Sequence, residues 1–202
     1  MWALSARELL SRTASHAPTP GGGSVAAISG ALGLGLVIMA LEVSLRRKNA
    51  DAALPRVLDN ARELLTLLAR DADEDVAVFE QFMAALALPK SSEAEQHRRA
   101  ALREAALAAS RSPLAAAGRL VTALELAEQS APLVARSIVS DVGAGAALLG
   151  GALRATLLSV DINLGQVDED QRRALAGARE ALAVRAQALE QVVAQRVQSR
   201  LT

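Results

Sequence analysis

The sequence predicts an all-α fold, a single-domain bundle of about seven helices. Three observations lead there. Apolar residues make up 51% of the 202 positions but aromatic residues only 1%, so Ala and Leu have to fill the core. Clusters of the β-branched and aromatic residues that strands prefer are sparse. Apolar side chains recur at helical spacing, as in Leu58, Leu65, Leu68, Ala72, Val76 and Phe79. No linker composition or internal repeat divides the chain, so 1–202 reads as one domain.

The elements follow in order. A short helix is expected over Ala3–Thr13, with Leu9 and Leu10 inward. Two prolines and three consecutive glycines in Pro18-Thr19-Pro20-Gly21-Gly22-Gly23 exclude regular structure and predict a shaped loop. Ser24 is then placed to cap a helix from Val25. Small residues at Ala26, Ala27, Gly30 and Gly33 let another backbone come close, and Arg46-Arg47-Lys48 suit the helix C-terminus. Pro55 opens a long helix to Leu86. Ser92 with Glu95 reads as a capping box for the next helix, to about Ser110. Pro113 and Pro132 each read as the start of a further helix. The Ala-, Gly- and Leu-rich run after Ser140-Asp141-Val142-Gly143 is apolar nearly all round and belongs in the core. After a break at Val160–Gly165, Asp168 or Asp170 caps a last helix. Its Leu175, Leu182 and Leu189 recur every seven residues, which implies a partner helix in the same or a second subunit.

Composition also excludes function classes. Basic and acidic residues balance at 22 each, and there is no basic excess to grip phosphates. With almost no aromatics there are no platforms on which bases stack, so no nucleic-acid partner is expected. Cysteine is absent, and His16 and His97 stand far apart, so no metal site is expected. No signal peptide is expected, because Glu8 and Arg12 interrupt the start. Thr13 to Leu41 carries no Asp, Glu, Lys or Arg, but its apolar part is short for a span and diluted by glycines. A buried helix of a cytoplasmic protein is expected there rather than a membrane helix.

Several residues can carry chemistry. Pro20-Gly21-Gly22-Gly23-Ser24 delivers backbone N–H groups to a helix N-terminus, where an anion or polarised carbonyl can bind. The same residues also fit a tight connector between helices. The chain has twenty Arg and only two Lys, so Lys90 after Pro89 stands out: a lysine can titrate where guanidinium cannot. Asp141, at the mouth of an apolar helix, fits a base or a cation partner, and equally a helix cap. Asp75 sits among Val76 and Phe79 and can face inward. Asn163, in the break after Val160, can orient an amide or ring, or be a mere turn residue. Arg98 or Arg99, two turns after Lys90, can reach the same site or lie on a helix surface.

Taken together these segments resemble a known family. Pro18 through Ala27, followed by Gly30-Ala31-Leu32-Gly33, looks like the opening signature of the formiminotetrahydrofolate cyclodeaminase and methenyltetrahydrofolate cyclohydrolase family. Asp75-Val76-Ala77-Val78-Phe79, Leu88-Pro89-Lys90, Arg98, Pro113-Leu114, Ser140-Asp141-Val142-Gly143 and Ile162-Asn163-Leu164 resemble its later segments in order. The resemblance implies an all-helical subunit that dimerises, a tetrahydrofolate substrate and no further cofactor or metal. It places Pro20, Gly21, Gly22, Gly23, Ser24, Arg98 and Asn163 in the folate site, with Lys90, Asp141 and Asp75 as its catalytic groups. Asp141 is the first choice of base. Two departures stand out: Val134-Ala135 replaces a Gly-Asn pair, and Ser159-Val160 replaces an Asn-Val pair. No formiminotransferase domain is expected beside this one. The expected reaction is therefore hydrolysis of 5,10-methenyltetrahydrofolate, with cyclodeamination or folate binding without catalysis as alternatives.

Overall fold

The computed structural model describes residues 1–91 and 94–202. The described residues form six α-helices and no strand: α1 (Ala6–Thr13), α2 (Gly22–Leu45), α3 (Leu54–Leu86), α4 (Glu95–Leu133), α5 (Val139–Asn163) and α6 (Glu169–Leu201). Single 3-10 turns at Arg136–Ile138 and Leu164–Gln166 flank α5. Helices α2, α3, α4 and α5 form a ring of neighbours, and α6 packs on α4 and α5. Met1 and Leu9 of the N-terminal segment close one end of the bundle over Ala27, Ile28 and Ala72.

Glycine makes the central contact. An added Cβ at Gly33 would lie 2.8 Å from the Gly145 carbonyl oxygen, and one at Gly145 would lie 2.5 Å from the Gly33 oxygen. Gly30 faces Leu120 and Ala152. The backbones of α2 and α5 therefore run in contact and antiparallel, as the small residues of α2 predicted. Around this pair Leu34, Val37, Leu41, Leu120, Leu124, Leu149 and Leu153 form a core of aliphatic side chains. Burial of this apolar area is the dominant favourable term.

The helix count is six rather than seven, and the reason is local. Pro113 and Pro132 both lie inside α4 instead of starting new helices. An interior proline removes the N–H that would bond the carbonyl four residues earlier. Here other groups take over those carbonyls. The Ala109 oxygen accepts from the Asn163 side-chain amide at 2.9 Å, and the Glu128 oxygen accepts from Arg196 at 2.9 Å. With the lost partners replaced from outside, the helix runs on.

Other ends were read more closely. Pro55 lies in the first turn of α3, and Asp168 caps α6 by accepting from the Gln171 N–H. Leu175, Leu189, Val193 and Val197 are buried, and Leu182 packs against the same core. The partner of that seam lies within the chain, in α4 and α5. Helix α1 carries a capping box of Ser5 and Glu8 that the sequence reading did not single out. Ser92 of the expected capping box lies outside the described residues, and α4 starts at Glu95.

By length and composition both α2 and the segment Arg136–Gln166 could cross a membrane, and 61% and 50% of their apolar windows are buried inside the bundle. The remainder forms one surface. Val25, Ser29, Leu32, Leu36, Met39 and Val43 line the outer side of α2. Ala144, Leu148, Gly151, Ala155, Leu158 and Ile162 continue the surface along α5. No charged side chain interrupts either stripe.

Candidate active site

A cleft of about 400 Å³ opens where α2 begins. Its floor is Gly21, Gly22 and Gly23. One wall is Asp75, Val78, Phe79 and Phe82 of α3, another is Ala109, Ser112 and Pro113 of α4, and the third is Ser159, Ile162 and Asn163 of α5. The volume falls within the range of small-molecule sites, and the lining is mainly apolar with a few converging polar groups.

The glycine turn explains the approach of α3. No glycine in the described chain has a positive φ, so left-handed backbone is not why glycine is there. Gly23 is needed for space: a Cβ on it would sit 2.0 Å from Oδ1 of Asp75. The Asp75 carboxylate thus lies against the first turn of α2, where exposed N–H groups and the helix dipole favour a negative neighbour. Gly22 has open space around it, and it forms part of the cleft floor.

Ser24 corrects one expectation. The cap position of α2 belongs to Gly21, and the helix starts at Gly22 rather than near Val25. Ser24 is fully buried, and its hydroxyl donates to Oδ2 of Asp75 at 2.6 Å. One carboxylate oxygen is therefore fixed by Ser24. The other makes no side-chain hydrogen bond among the described residues and lies against Gly23.

Asn163 is the last residue of α5 rather than part of a loop. Its amide donates to the carbonyls of Ala109 and Ser159 at 2.9 and 2.8 Å. Both amide hydrogens are committed to the fold, and Oδ1 is the atom left for a bound molecule. Pro113 contributes ring surface and, by freeing the Ala109 carbonyl, the anchor for Asn163.

Three expected site residues lie elsewhere in the subunit. Lys90 is exposed beyond the end of α3, and Arg98 is in the first turn of α4. Counting helical rise, Arg98 lies roughly 20 Å along α4 from Ser112. Both belong to the tip where the α3–α4 pair projects past the glycine turn. The Arg98 Nε is enclosed with no hydrogen-bond partner among the described residues. Asp141 lies in the first turn of α5, not at its cap, which is Ile138. It is twenty-two residues before Asn163, roughly 33 Å along the helix and at the opposite end of the bundle. One subunit therefore unites the glycine turn, Asp75 and Asn163, but not Lys90, Arg98 or Asp141. The departures divide the same way. Val134 and Ala135 are buried at the far end, where the Ala135 N–H donates to Ser44. Ser159 lines the cleft.

The sequence reading missed Asp71 and Arg119. Asp71 is 7% exposed on α3, and the Arg119 guanidinium grips it through two hydrogen bonds, the one from Nε at 2.8 Å. A signal was present: Arg119 stands alone between Ala117-Gly118 and Leu120-Val121, so it needs a partner, and Asp71 precedes Asp75 by one turn. Phe82 and Ser112 were also missed, and neither carries a distinctive local pattern.

The family model described as formiminotransferase-cyclodeaminase matches residues 5–181. The chain belongs to that family. It is 35% identical over 196 residues to methenyltetrahydrofolate cyclohydrolase of Methylorubrum extorquens, covering 93% of each protein. Against formimidoyltransferase-cyclodeaminase of Sus scrofa the identity is 28% over 172 residues, covering 83% of this chain and 32% of that protein. The fold superposes on the crystal structure of formiminotetrahydrofolate cyclodeaminase from Thermotoga maritima with a TM-score of 0.88 at 22% identity, over 98% of both chains. The family thus shares this all-helical architecture, with the glycine turn within the matched segment.

Proposed function

We propose that the chain hydrolyses 5,10-methenyltetrahydrofolate to 10-formyltetrahydrofolate, with the cleft above the glycine turn as its site. One observation carries this reading: a single carboxylate, Asp75, is held by Ser24 in the wall of a mainly apolar cleft of folate-ring dimensions. The methenyl group is a cationic amidinium, and a fixed carboxylate beside it stabilises that charge and the charge that develops during attack. Water adds its oxygen to the one-carbon unit and passes a proton to Asp75. Collapse of the adduct breaks the bond to N5, which takes a proton, and one proton is released overall. Asp75 thus replaces Asp141 as first choice of base. Asn163 Oδ1 would accept from a ring N–H. Lys90 and Arg98 would form a cationic lip at the α3–α4 tip, toward the anionic end of the substrate. Similarity to the cyclohydrolase over nearly the full length favours hydrolysis over cyclodeamination.

The functional unit in this proposal is a cytoplasmic homodimer paired through the apolar stripes of α2 and α5. Ile162 belongs both to that face and to the cleft, so a second copy would close the open side. Two-fold pairing with these helices antiparallel would carry Asp141 of the partner subunit toward the glycine turn. This gives the distant carboxylate a place in the reading that one subunit denies it. An exposed apolar face that no charged side chain interrupts supports this pairing.

Loss of methenyltetrahydrofolate absorbance tests the activity. Asp75→Asn should lower kcat/KM by roughly 10²–10⁴-fold, the range for a lost general base. A purified wild-type protein no faster than buffer overturns the reading. Leu148→Glu, which places a charge in the proposed interface, should give a folded monomer by light scattering with the activity largely gone. A wild type that is monomeric at micromolar concentration removes the dimer.

A further inference from the structure

We propose that the Arg119–Asp71 pair is a positioning element that balances charge beside Asp75, so that one unneutralised carboxylate faces the cleft. The inference rests on the catalytic reading of Asp75 and adds two residues that do not themselves line the cleft. Asp71 and Asp75 are one helical turn apart on α3, which places their Cβ atoms about 6 Å apart. Both also line a small void of about 20 Å³ behind the glycine turn, enclosed by Gly23, Leu68 and Leu120 among others. Arg119 reaches Asp71 from α4 with two hydrogen bonds in the fork geometry of guanidinium and carboxylate.

Few other charges bear on Asp75. From α2 the uncharged Ser24 holds it, and the α5 residues that line the same cavities, Thr156, Ser159 and Asn163, are uncharged. On α4 the neighbours are Ser112 and, through Asp71, Arg119, while Arg111 is exposed. On α3 itself, Asp73 and Glu74 are exposed, and Asp73 pairs with the N-terminal ammonium. Among the described residues Asp71 is thus the negative group one turn from Asp75, and Arg119 is what cancels it. Without Arg119, a bare carboxylate would stand one turn from Asp75. At an effective dielectric constant near 20, such a neighbour shifts a titration by about one to two pH units.

The experiment is the pH profile for interconversion of methenyl- and formyltetrahydrofolate, followed by absorbance from pH 4 to 8 after subtraction of the buffer rate. Wild type, Arg119→Met, Asp71→Asn and the double variant are compared, each with a melting curve. Arg119→Met should move the acid limb up by about one pH unit or more, because a bare Asp71 would add a negative charge one turn from the cleft carboxylate. Asp71→Asn, which leaves Arg119 uncompensated, should move it down. The double variant should return it to the wild-type position although both packing partners are altered. Arg119→Lys should keep the wild-type limb. A purely structural pair lowers melting temperatures in all of these and leaves the limb in place, and that result overturns the inference. Should Arg119→Met fail to fold, Asp71→Asn and the double variant decide alone. Asp75→Asn separates the two claims. If it keeps full activity, the catalytic reading of Asp75 falls. If it is inactive while the Arg119 and Asp71 variants leave the limb unmoved, only this inference falls.

Discussion

Pro113 and Pro132 pose the same backbone problem at two points of one helix, and the chain solves it in two ways. At Pro113 the freed carbonyl of Ala109 is taken by a neutral amide from the end of α5, partly buried at the edge of the cleft. At Pro132 the freed carbonyl of Glu128 is taken by Arg196 of α6, whose guanidinium also pairs with the Glu128 carboxylate at 2.9 Å. Arg200 adds a hydrogen bond to the neighbouring Ala131 carbonyl. The first arrangement fixes a wall of the candidate site. The second clasps α6 to the surface of α4. The difference teaches that a proline defect takes its meaning from what packs opposite. An uncharged donor suits a partly buried carbonyl, since a charge there would carry a desolvation penalty. At Glu128 the hydrogen bond is exposed, and a guanidinium serves there.

The comparison can be broken at the Pro113 end first. Asn163→Ala leaves the Ala109 carbonyl without a partner and should destabilise the protein by about 1–3 kcal/mol in denaturant titration. It should also lower kcat, because the wall that carries Ile162 loosens. Pro113→Ala restores an N–H for that carbonyl, so Asn163→Ala should be milder by about 1 kcal/mol in that background. Equal penalties in both backgrounds would sever the link between proline and amide. Arg196→Ala at the other end should lose less, about 0–1 kcal/mol, because its ion pair is partly exposed and water replaces the lost donor. The smallest effect belongs to α1. Its Glu8 carboxyl is held below the usual carboxylate range, chiefly by hydrogen bonds from the Ser5 side chain and backbone. A depressed folded-state value means the contribution is full at neutral pH and is lost as pH falls through that depressed value. Amide exchange in α1 should therefore rise selectively in acid, and Glu8→Gln should flatten that rise.

The glycine turn and the cleft residues were legible to different degrees. Glycine and proline signal local backbone, so the shape-breaking segment before α2 stood out directly. Its purpose did not: Gly23 serves the approach of Asp75, fifty-two residues away, and not an unusual dihedral angle. Asp75 was recognised among apolar neighbours, but nothing local chose it over Asp141. That choice needed the antiparallel run of α2 and α5, which leaves the two carboxylates at opposite ends of the subunit. Arg119 and Asp71 were overlooked because an ion pair forty-eight residues apart has no periodic trace.

By itself the sequence determined the helical class, the core of Ala and Leu, the close approach of α2 to another backbone and the capped start of α6. These follow from side-chain size, periodicity and backbone preference, which act within a few residues. The tertiary structure alone decided that α4 runs through two prolines, that Ser24 holds a carboxylate instead of capping a helix, and which acidic residue meets the glycine turn. Each of those depends on a partner from a distant helix, and its energy exists only once the helices have packed.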